Sequence, residues 1–422
     1  MNMTIKSRLT SAPFMAIKSR SALHFLQKLP NWLLVSAYLF VFLMVPSFAN
    51  AEINQSKLGG GPVNIASGER AGNVEFETLI KNSHPVELMA WSPDGKHVAV
   101  TGRTPEISVW DIETRQLVMS LRKPRKGGHS SIAYSPDGRY LASGASVISI
   151  WDARTGALLR DIVAPYIDMT RPQPIGVQSI SFSSDGGTVA VTYSSIGRGF
   201  AICLFESENG KLIRSIESEG LTNTGVVFSQ NGKRLLGTRY YFSGERDPSG
   251  VPVTYLDENT EIGVWDALSG QKISEIKNVH VRAPWAFAAS PDNGILATGS
   301  WTGAIQSTRN MKTGEFHTVK NNDPIRLWDA KNGHLLRELA VSSRVNSLAF
   351  SPDGNLLISC QRADPAMQDP IWLWRVSTGK LIQKIKFPKN PHNDTPTCGF
   401  SPDGTRLAAA IGFDLAIYSV DR

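Results

Sequence analysis

The chain has 422 residues, of which 41% are hydrophobic, and it carries a formal net charge of +7. This length allows a large buried core and exceeds one ordinary small domain. Leucine heptads and long amphipathic helical stretches are absent, which argues against a helical protein. The 36 glycines and 24 prolines interrupt the chain every few residues and favour many short strands.

The first 51 residues have the three parts of a secretory signal peptide: a basic start without acids, an apolar run from Trp32 to Val45, and an Ala-x-Ala ending at Ala51. The run is shorter than the roughly 20 apolar residues of a membrane span. We predict that residues 1–51 are a cleaved signal peptide, that 52–72 form a flexible linker, and that the mature protein has no stable membrane insertion. The alternatives are an uncleaved anchor, an organellar transit peptide and a true start at Met15.

Removal of this leader changes the charge argument. Five of the 44 Lys and Arg residues lie in it, which leaves 39 basic against 37 acidic residues, or a net charge of +2. A nucleic-acid-binding domain is expected to be strongly basic. The sequence therefore predicts no nucleic-acid partner.

Three cysteines occur, at positions 203, 360 and 398. An odd number in an exported protein leaves at least one thiol free, and neither a CxxC site nor a disulfide framework is evident. We expect three free, half-buried thiols; the alternative is a disulfide between Cys360 and Cys398.

One turn recurs seven times along the chain, as Ser-Pro-Asp-Gly or a close variant. Pro pre-sets φ for a turn, Asp can hydrogen-bond the local backbone, and Gly adopts the positive φ that closes a tight hairpin. We therefore interpret the turn acids as structural rather than catalytic. They are Asp94, Asp137, Asp185, Asn231, Asp292, Asp353 and Asp403.

Each turn is followed by a second pattern, Ile-x-aliphatic-aromatic or nearly so. The repeat period indicates a repeat architecture in which each unit has four strands, with the turn joining strands one and two and the aromatic in strand three. We predict that these aromatics are core residues: Trp110, Trp151, Phe205, Trp265, Trp328, Trp374 and Tyr418.

These two patterns resemble those of the WD-repeat β-propeller family, and in particular of bacterial, exported propellers with the Ser-Pro-Asp-Gly turn. The resemblance covers about residues 73–422 and implies an all-β, seven-bladed β-propeller of four-stranded antiparallel blades around a central channel. The family's Gly-His dipeptide is matched only at Gly128-His129, while His84 and His280 lack the preceding glycine. We therefore expect its buried His–Ser–Asp–Trp network to be missing from most blades.

The seventh unit ends just past its third strand, while Val74–Ile80 precedes the first unit as an unassigned strand. Members of the family close the ring by pairing an N-terminal strand into the last blade. The resemblance therefore predicts that Val74–Ile80 is the fourth strand of blade seven.

The blades differ in the distance from the turn residue to the strand-three aromatic, which is 14 to 16 residues in blades one, two and seven but 20, 34, 36 and 21 in blades three to six. The added length falls between strands two and three, and we expect hairpins within 240–255 and 304–319. Long loops are usually functional or disordered. Aromatic and Arg residues there are typical of binding hot spots, and the candidate partner-binding residues are Arg239, Tyr240, Tyr241, Tyr255, Trp301 and Arg309.

No nucleotide-binding loop, Gly-x-Ser-x-Gly elbow or His-Glu-x-x-His helix occurs. We predict a non-catalytic, monomeric, periplasmic or secreted propeller that serves as a protein-interaction scaffold, with no cofactor, no metal and no catalytic residues. The alternatives are a propeller enzyme, such as a quinone-type dehydrogenase or a hydrolase, and a propeller that binds envelope glycans.

Overall fold

The computed structural model describes residues 73–122, 128–163, 176–194, 200–218, 221–229, 231–241, 260–280, 284–300, 306–309, 316–319, 323–362, 369–388 and 396–421. The predicted signal peptide and linker therefore lie outside the described residues. The described residues all fall within one compact unit, Gly68–Arg422. The described residues include no helix that is long and apolar enough to cross a bilayer.

The described strands form a seven-bladed β-propeller, as the sequence predicts. β1 (Val74–Val86) comes first. Blade one contains β2 (Leu88–Trp91), β3 (His97–Thr101), β4 (Glu106–Asp111) and β5 (Leu117–Arg122), and blade two contains β6 (Ser131–Tyr134), β7 (Tyr140–Gly144), β8 (Ile148–Asp152) and β9 (Leu158–Ile162). Blade three contains β10 (Gly176–Phe182), β11 (Thr188–Ser194), β12 (Phe200–Glu206) and β13 (Leu212–Ser218).

Blades four to seven continue the same order of strands. Blade four contains β14 (Leu221–Phe228), β15 (Arg234–Tyr241), β16 (Thr260–Asp266) and β17 (Lys272–Lys277). Blade five contains β18 (Pro284–Ala289), β19 (Ile295–Ser300), β22 (Ile325–Asp329) and β23 (Leu335–Leu339), with β20 (Gln306–Arg309) and β21 (Phe316–Val319) between its second and third strands. Blade six contains β24 (Val345–Phe350), β25 (Leu356–Gln361), β26 (Ile371–Arg375) and β27 (Leu381–Ile385), and blade seven contains β28 (Thr397–Phe400) and β29 (Arg406–Val420).

β1 closes the ring by pairing antiparallel with β29, from Val74 opposite Val420 to Ile80 opposite Leu415. The first half of β29 pairs with β28 instead. Because the backbone N–H of Val420 donates to the carbonyl of Thr405 at 2.8 Å, β29 doubles back on itself. Blade seven therefore has four strand segments, and the predicted closure by an N-terminal strand is confirmed.

A β-bulge lies opposite the strand-three aromatic in every blade. In blade one Val109 pairs with Met119 and Trp110 with Leu117, so Val118 is the extra residue of strand four. Such a bulge bends the strand and increases its twist. In five blades the extra residue of strand four is an apolar side chain between 42% and 49% exposed: Val118, Leu159, Ile213, Ile273 and Leu336.

The hydrophobic core lies between neighbouring blades rather than inside one blade. Trp265 of blade four, for example, packs with Ile202 and Leu204 of blade three. Serines of the innermost strands connect the same interfaces, because Ser131 Oγ accepts from the backbone N–H of Ile180 at 3.0 Å. Each blade is therefore stabilised mainly by its two neighbours, and the stability of the ring depends on its closure.

Cys360 and Cys398 form a disulfide, with Cα atoms 6.1 Å apart, which corrects the expectation of three free thiols. The residue near the end of strand two faces the first strand of the next blade: a Cβ at Gly299, the equivalent position in blade five, would lie 2.8 Å from Val345 of blade six. Cysteines 38 residues apart in sequence therefore meet across the interface between blades six and seven. Cys203 is buried in β12.

Deletion of residues 73–80 should destabilise the protein severely, because it removes the outer strand of blade seven and exposes the edge of β29. Thermal unfolding by circular dichroism measures the effect. The matched control is Phe76→Ala, since Phe76 lies on the same strand but is 50% exposed. A melting temperature for the deletion equal to that of the full chain would contradict closure by β1.

Reduction of the Cys360–Cys398 disulfide should also lower stability. A cross-link that closes a loop of 38 residues is expected to contribute about 3 to 4 kcal/mol by restricting the unfolded chain. Urea unfolding with and without a reductant measures it. The double variant Cys360→Ala/Cys398→Ala should show the lower stability in both conditions, and a reductant effect that persists in it would assign the effect to another group.

Candidate functional site

The seven turn residues lie between strands one and two of the blades, and each is bound by a serine two positions earlier. The serine hydroxyl donates to the turn side chain at 2.5 to 2.8 Å and accepts from the backbone N–H five residues on at 2.9 Å. The backbone N–H two residues after the turn side chain donates to it at 2.9 to 3.1 Å. The hydroxyl thus fixes both ends of the hairpin loop.

These serines stabilise the turn, and the sequence analysis did not identify them. All are buried, with relative exposures of 0 to 7%: Ser92, Ser135, Ser183, Ser229, Ser290, Ser351 and Ser401. Six of the turns then continue with a glycine whose φ lies between 67° and 74°, and the turn of blade five uses Asn293 at φ 54°. The invariant serine in the repeated sequence was the signal that could have found them.

The turn network keeps its carboxylates ionised. The hydroxyl of Ser183, followed by the backbone N–H of Gly187, holds the pKa of Asp185 below its ordinary value. The hydroxyl of Ser290 and the N–H of Gly294 do the same for Asp292. These aspartates therefore act as acceptors that anchor backbone. Burial opposes the effect, but the pKa of each is lowered, whereas a general acid would require a raised pKa.

The strand-three aromatics are buried, apart from the half-buried Trp110, and several donate a hydrogen bond within their blade. Trp151 Nε1 donates to Ser143 Oγ at 3.0 Å, and Trp374 Nε1 donates to Ser359 Oγ at 2.9 Å. Trp110 Nε1 donates to Asn82 instead, at 3.2 Å. These bonds satisfy indole groups that would otherwise be buried without a partner.

Blade five contains a longer chain of hydrogen bonds that includes His280. Asp323 lies 2.8 Å from His280 Nδ1, His280 Nε2 lies 2.8 Å from Thr298 Oγ1, and Trp328 Nε1 donates to that hydroxyl at 2.9 Å. The arrangement orders an acid, an imidazole and a hydroxyl as a hydrolase would. However, Thr298 is 0% exposed, so no substrate can reach its hydroxyl, and the chain of bonds is structural.

Strands one and two extend further in blades three to six than in the other blades, towards the end of the ring where strand two leads into strand three. The first strands of blades one, two and seven have 4 residues, whereas β10 and β14 have 7 and 8, and β18 and β24 have 6. Each extension begins after a register shift in strand one. We call these four extensions the raised rim; their outermost cross-strand pairs include Val177–Tyr193, Asn223–Arg239, Pro284–Ser300 and Val345–Gln361.

The second-strand residue of each of these pairs has a buried polar atom without a hydrogen-bond partner among the described residues. These atoms are Tyr193 Oη, Arg239 Nε, Ser300 Oγ and Gln361 Nε2. The equivalent positions of blades one, two and seven hold Gly102, Ala145 and Ile411. A buried polar group without a partner costs free energy. Such atoms also occur in blade one, at Thr104 and Ser108, but at these four equivalent positions the raised rim differs from blades one, two and seven in chemistry as well as in length.

Of the predicted partner-binding residues, Arg239 is buried in the structure rather than exposed. Arg239 is 5% exposed: its Nη1 lies 2.6 Å from Glu261 Oε1 and its guanidinium stacks on Trp265 at 5.4 Å. This ion pair between neighbouring strands holds the arginine inside the raised rim instead of presenting it to solvent, and the cross-strand position of Glu261 was the missed signal.

The other candidates lie at or beyond the ends of strands. Tyr240 and Tyr241 end β15, where their backbones pair with Thr222 and Leu221, and Arg309 ends β20. Tyr255 and Trp301 lie outside the described residues. Of the two expected hairpins, the one within 304–319 is confirmed by the pairing of β20 with β21; that within 240–255 lies outside the described residues beyond Tyr241.

Within the described part of the chain, no group of three or more His, Cys, Asp and Glu side chains is placed to hold a metal ion. The fold, the hydroxyl-bound turns and the strand-three aromatics together define a β-propeller built from a repeated sequence.

A family model described as "WD domain, G-beta repeat" matches residues 116–152 and 332–364. Each match covers the fourth strand of one blade and inner strands of the next, so the sequence repeat is offset from the structural blade. Similar proteins include an uncharacterized WD repeat-containing protein of Synechocystis, 26% identical over 47% of this chain and 53% of its own length. The human WD repeat and SOCS box-containing protein 1 is 28% identical over 37% of this chain and 31% of its length.

A third similar protein, the U3 snoRNP-associated protein-like YAO of Arabidopsis thaliana, is 23% identical over 67% of this chain and 64% of its length. In each comparison the matched region spans less than two thirds of the relative. The chain is therefore similar to WD-repeat proteins in its propeller.

Replacement of Asp185 by Asn should make the stability less sensitive to acid. The folded-state pKa of Asp185 lies below its value in the unfolded chain, about 3.9, so its contribution is present above about pH 4 and is lost as the pH falls further. Asn keeps the hydrogen bonds, as Asn231 does in blade four, but does not titrate. Melting temperatures between about pH 6 and pH 3 measure this, and an unchanged acid dependence in the variant would contradict it.

Proposed function

We propose that this chain is an exported, non-catalytic β-propeller that binds a protein partner at the end of the ring formed by the raised rim and the strand-two to strand-three insertions of blades three to six. The observation that carries the proposal is the raised rim itself. Strand pairing continues beyond the ordinary blade in four consecutive blades, and these are the blades whose sequences are longest at that point.

The orphaned polar atoms of the raised rim support a binding role. Interfaces use buried polar groups for specificity, and such groups cost stability until they are paired. The ring retains four in succession where blades one, two and seven have apolar residues or glycine. A partner that hydrogen-bonds to these four atoms would remove the free-energy cost of leaving them unpaired.

We propose that the chain is not catalytic because its Asp323–His280–Thr298 arrangement, the one most like a catalytic triad, is buried. Thr298 is enclosed by Trp328 and His280, and the turn aspartates are occupied by backbone. The relatives' names describe a protein associated with a snoRNP and one with a SOCS box; we carry over only the use of a WD-repeat propeller for interaction.

Export is proposed from two features. The leader has the composition of a signal peptide, and a disulfide joins blades six and seven. Disulfides persist in oxidising compartments such as the periplasm or the exterior of the cell. Both features support the proposal that the mature propeller lies outside the cytoplasm.

The triple variant Tyr240→Ala/Tyr241→Ala/Trp301→Ala should weaken partner binding at least about tenfold, as expected for hot-spot aromatics, while the melting temperature stays unchanged. The partner is first identified by cross-linking in native envelope and mass spectrometry, and binding is then measured with both purified proteins. The control is Leu158→Ser/Leu159→Ser, which changes two apolar residues, 43% and 42% exposed, on the outer strand β9. Full affinity of the triple variant would contradict this binding surface.

The rival functions are separated by two further measurements on the purified protein. An absorbance spectrum with a quinone-type cofactor band would favour a dehydrogenase. A thermal shift with envelope glycans that the triple variant loses would favour a glycan-binding propeller.

A further inference from the structure

A cavity of about 310 Å³ opens between blades four and five at the end of the ring that carries the serine-bound turns. This end is opposite to the raised rim, because strands one and two run antiparallel. The floor of the cavity is apolar and includes Leu236, Val264 and Ala330. Leu236 and Val264 are each 3% exposed, so the floor belongs to the rigid core between the blades.

The rim of this cavity carries Lys233 and Arg234, both exposed and directly after the turn of blade four. Among the described residues, no carboxylate lies within ion-pair distance of either side chain. Two arginines beside other turns are paired: Arg139 lies 2.5 Å from Asp137, and Arg406 lies 3.3 Å from Glu113. The cavity therefore presents two cations, neither of which forms an ion pair with a described side chain.

The turn sequence changes at this cavity in a way that preserves the positive charge. Blade four has Asn231 where the other six blades have Asp, although the amide oxygen makes the same hydrogen bonds, from Ser229 at 2.8 Å and from the N–H of Lys233 at 3.0 Å. An aspartate here would support the turn equally and would place a negative charge beside Lys233. The acid on the opposite side of the cavity, Asp292, accepts from Ser290 and the N–H of Gly294. It keeps its negative charge, so Lys233 and Arg234 leave the lining with a positive charge in excess.

A second departure from the repeat faces the same cavity. Asn293 occupies the position of the turn glycine in blade five, with φ 54°. A side chain in this conformation is less favourable than glycine, although Asn tolerates it better than most residues. Both departures thus place a neutral amide on the rim of one cavity.

We propose that this cavity is a docking site for an acidic peptide segment of a protein partner. An apolar side chain of the peptide would contact Leu236, Val264 and Ala330, and an adjacent carboxylate would lie between Lys233 and Arg234. The positive charge of Lys233 and Arg234 favours binding of an anion. The apolar lining favours a ligand that also carries an apolar side chain over a free inorganic ion. Because the site lies at the other end of the ring, it is independent of the binding surface proposed for the raised rim.

The test uses a fluorescein-labelled peptide with a central leucine flanked by glutamates and the full propeller, with binding measured by fluorescence anisotropy. Lys233→Glu/Arg234→Glu should weaken binding about tenfold, as expected when two exposed ion pairs are replaced by repulsion. The matched control is Lys96→Glu, which reverses the charge at the equivalent position of blade one and should leave the affinity unchanged.

Asn231→Asp is the sharper variant, because it restores the turn residue of the other blades and so retains the fold even if the charge reversal does not. It should weaken binding about threefold through the added carboxylate. Binding should also fall as salt is raised, since both cations are exposed.

Three results would overturn the proposal. The first is equal affinity of Asn231→Asp and the unaltered chain. The second is that a peptide with glutamines in place of the glutamates binds as tightly as the original peptide, which would show that the negative charge does not contribute to affinity. The third is that inorganic phosphate, or a peptide with glycine in place of the leucine, competes as well as the original peptide, which would reduce the site to a general anion contact.

Discussion

A serine hydroxyl buried at the start of every hairpin is the interaction on which the ring depends. It donates to the turn side chain and accepts from the backbone where strand two begins, so one short side chain sets the separation and register of two strands. The inner strand is thereby held in place, and neighbouring inner strands can pack and hydrogen-bond to one another. Because the core lies between blades, an error in one hairpin would disturb two interfaces.

Each hairpin is fixed by residues of its own repeat, and this explains how much of the fold could be predicted. The turns and the strand-three aromatics follow from patterns within one repeat, and every repeat shows them again. The pairing of β1 into blade seven was predicted from the family resemblance and from the missing fourth strand of the last unit. What depends on neighbouring repeats was harder to read. The Cys360–Cys398 disulfide requires knowing that the end of strand two faces the next blade's first strand, and no single repeat contains that information.

The candidate site was predicted less well, for the same reason. The lengths between turn and aromatic located the blades that differ, and a hairpin in blade five was correct. Arg239 was interpreted as a binding residue because arginine is common in interfaces, but its neighbour across the sheet is Glu261, and the pair is buried. Only the register of β15 with β16 distinguishes these outcomes, and that register follows from aligning the two strands rather than from composition.

Blade four shows what the serine network permits. At one end it loses the turn acid and gains two cations without an ion pair among the described residues. At the other end Arg239, paired with Glu261, stands where blades one, two and seven have glycine, alanine and isoleucine. Both changes leave the hydrogen bonds of Ser229 intact, so the backbone between them keeps the geometry of the other blades. A propeller whose hairpins are fixed by a buried hydroxyl can therefore vary the chemistry of its two ends independently, and blade four has varied both.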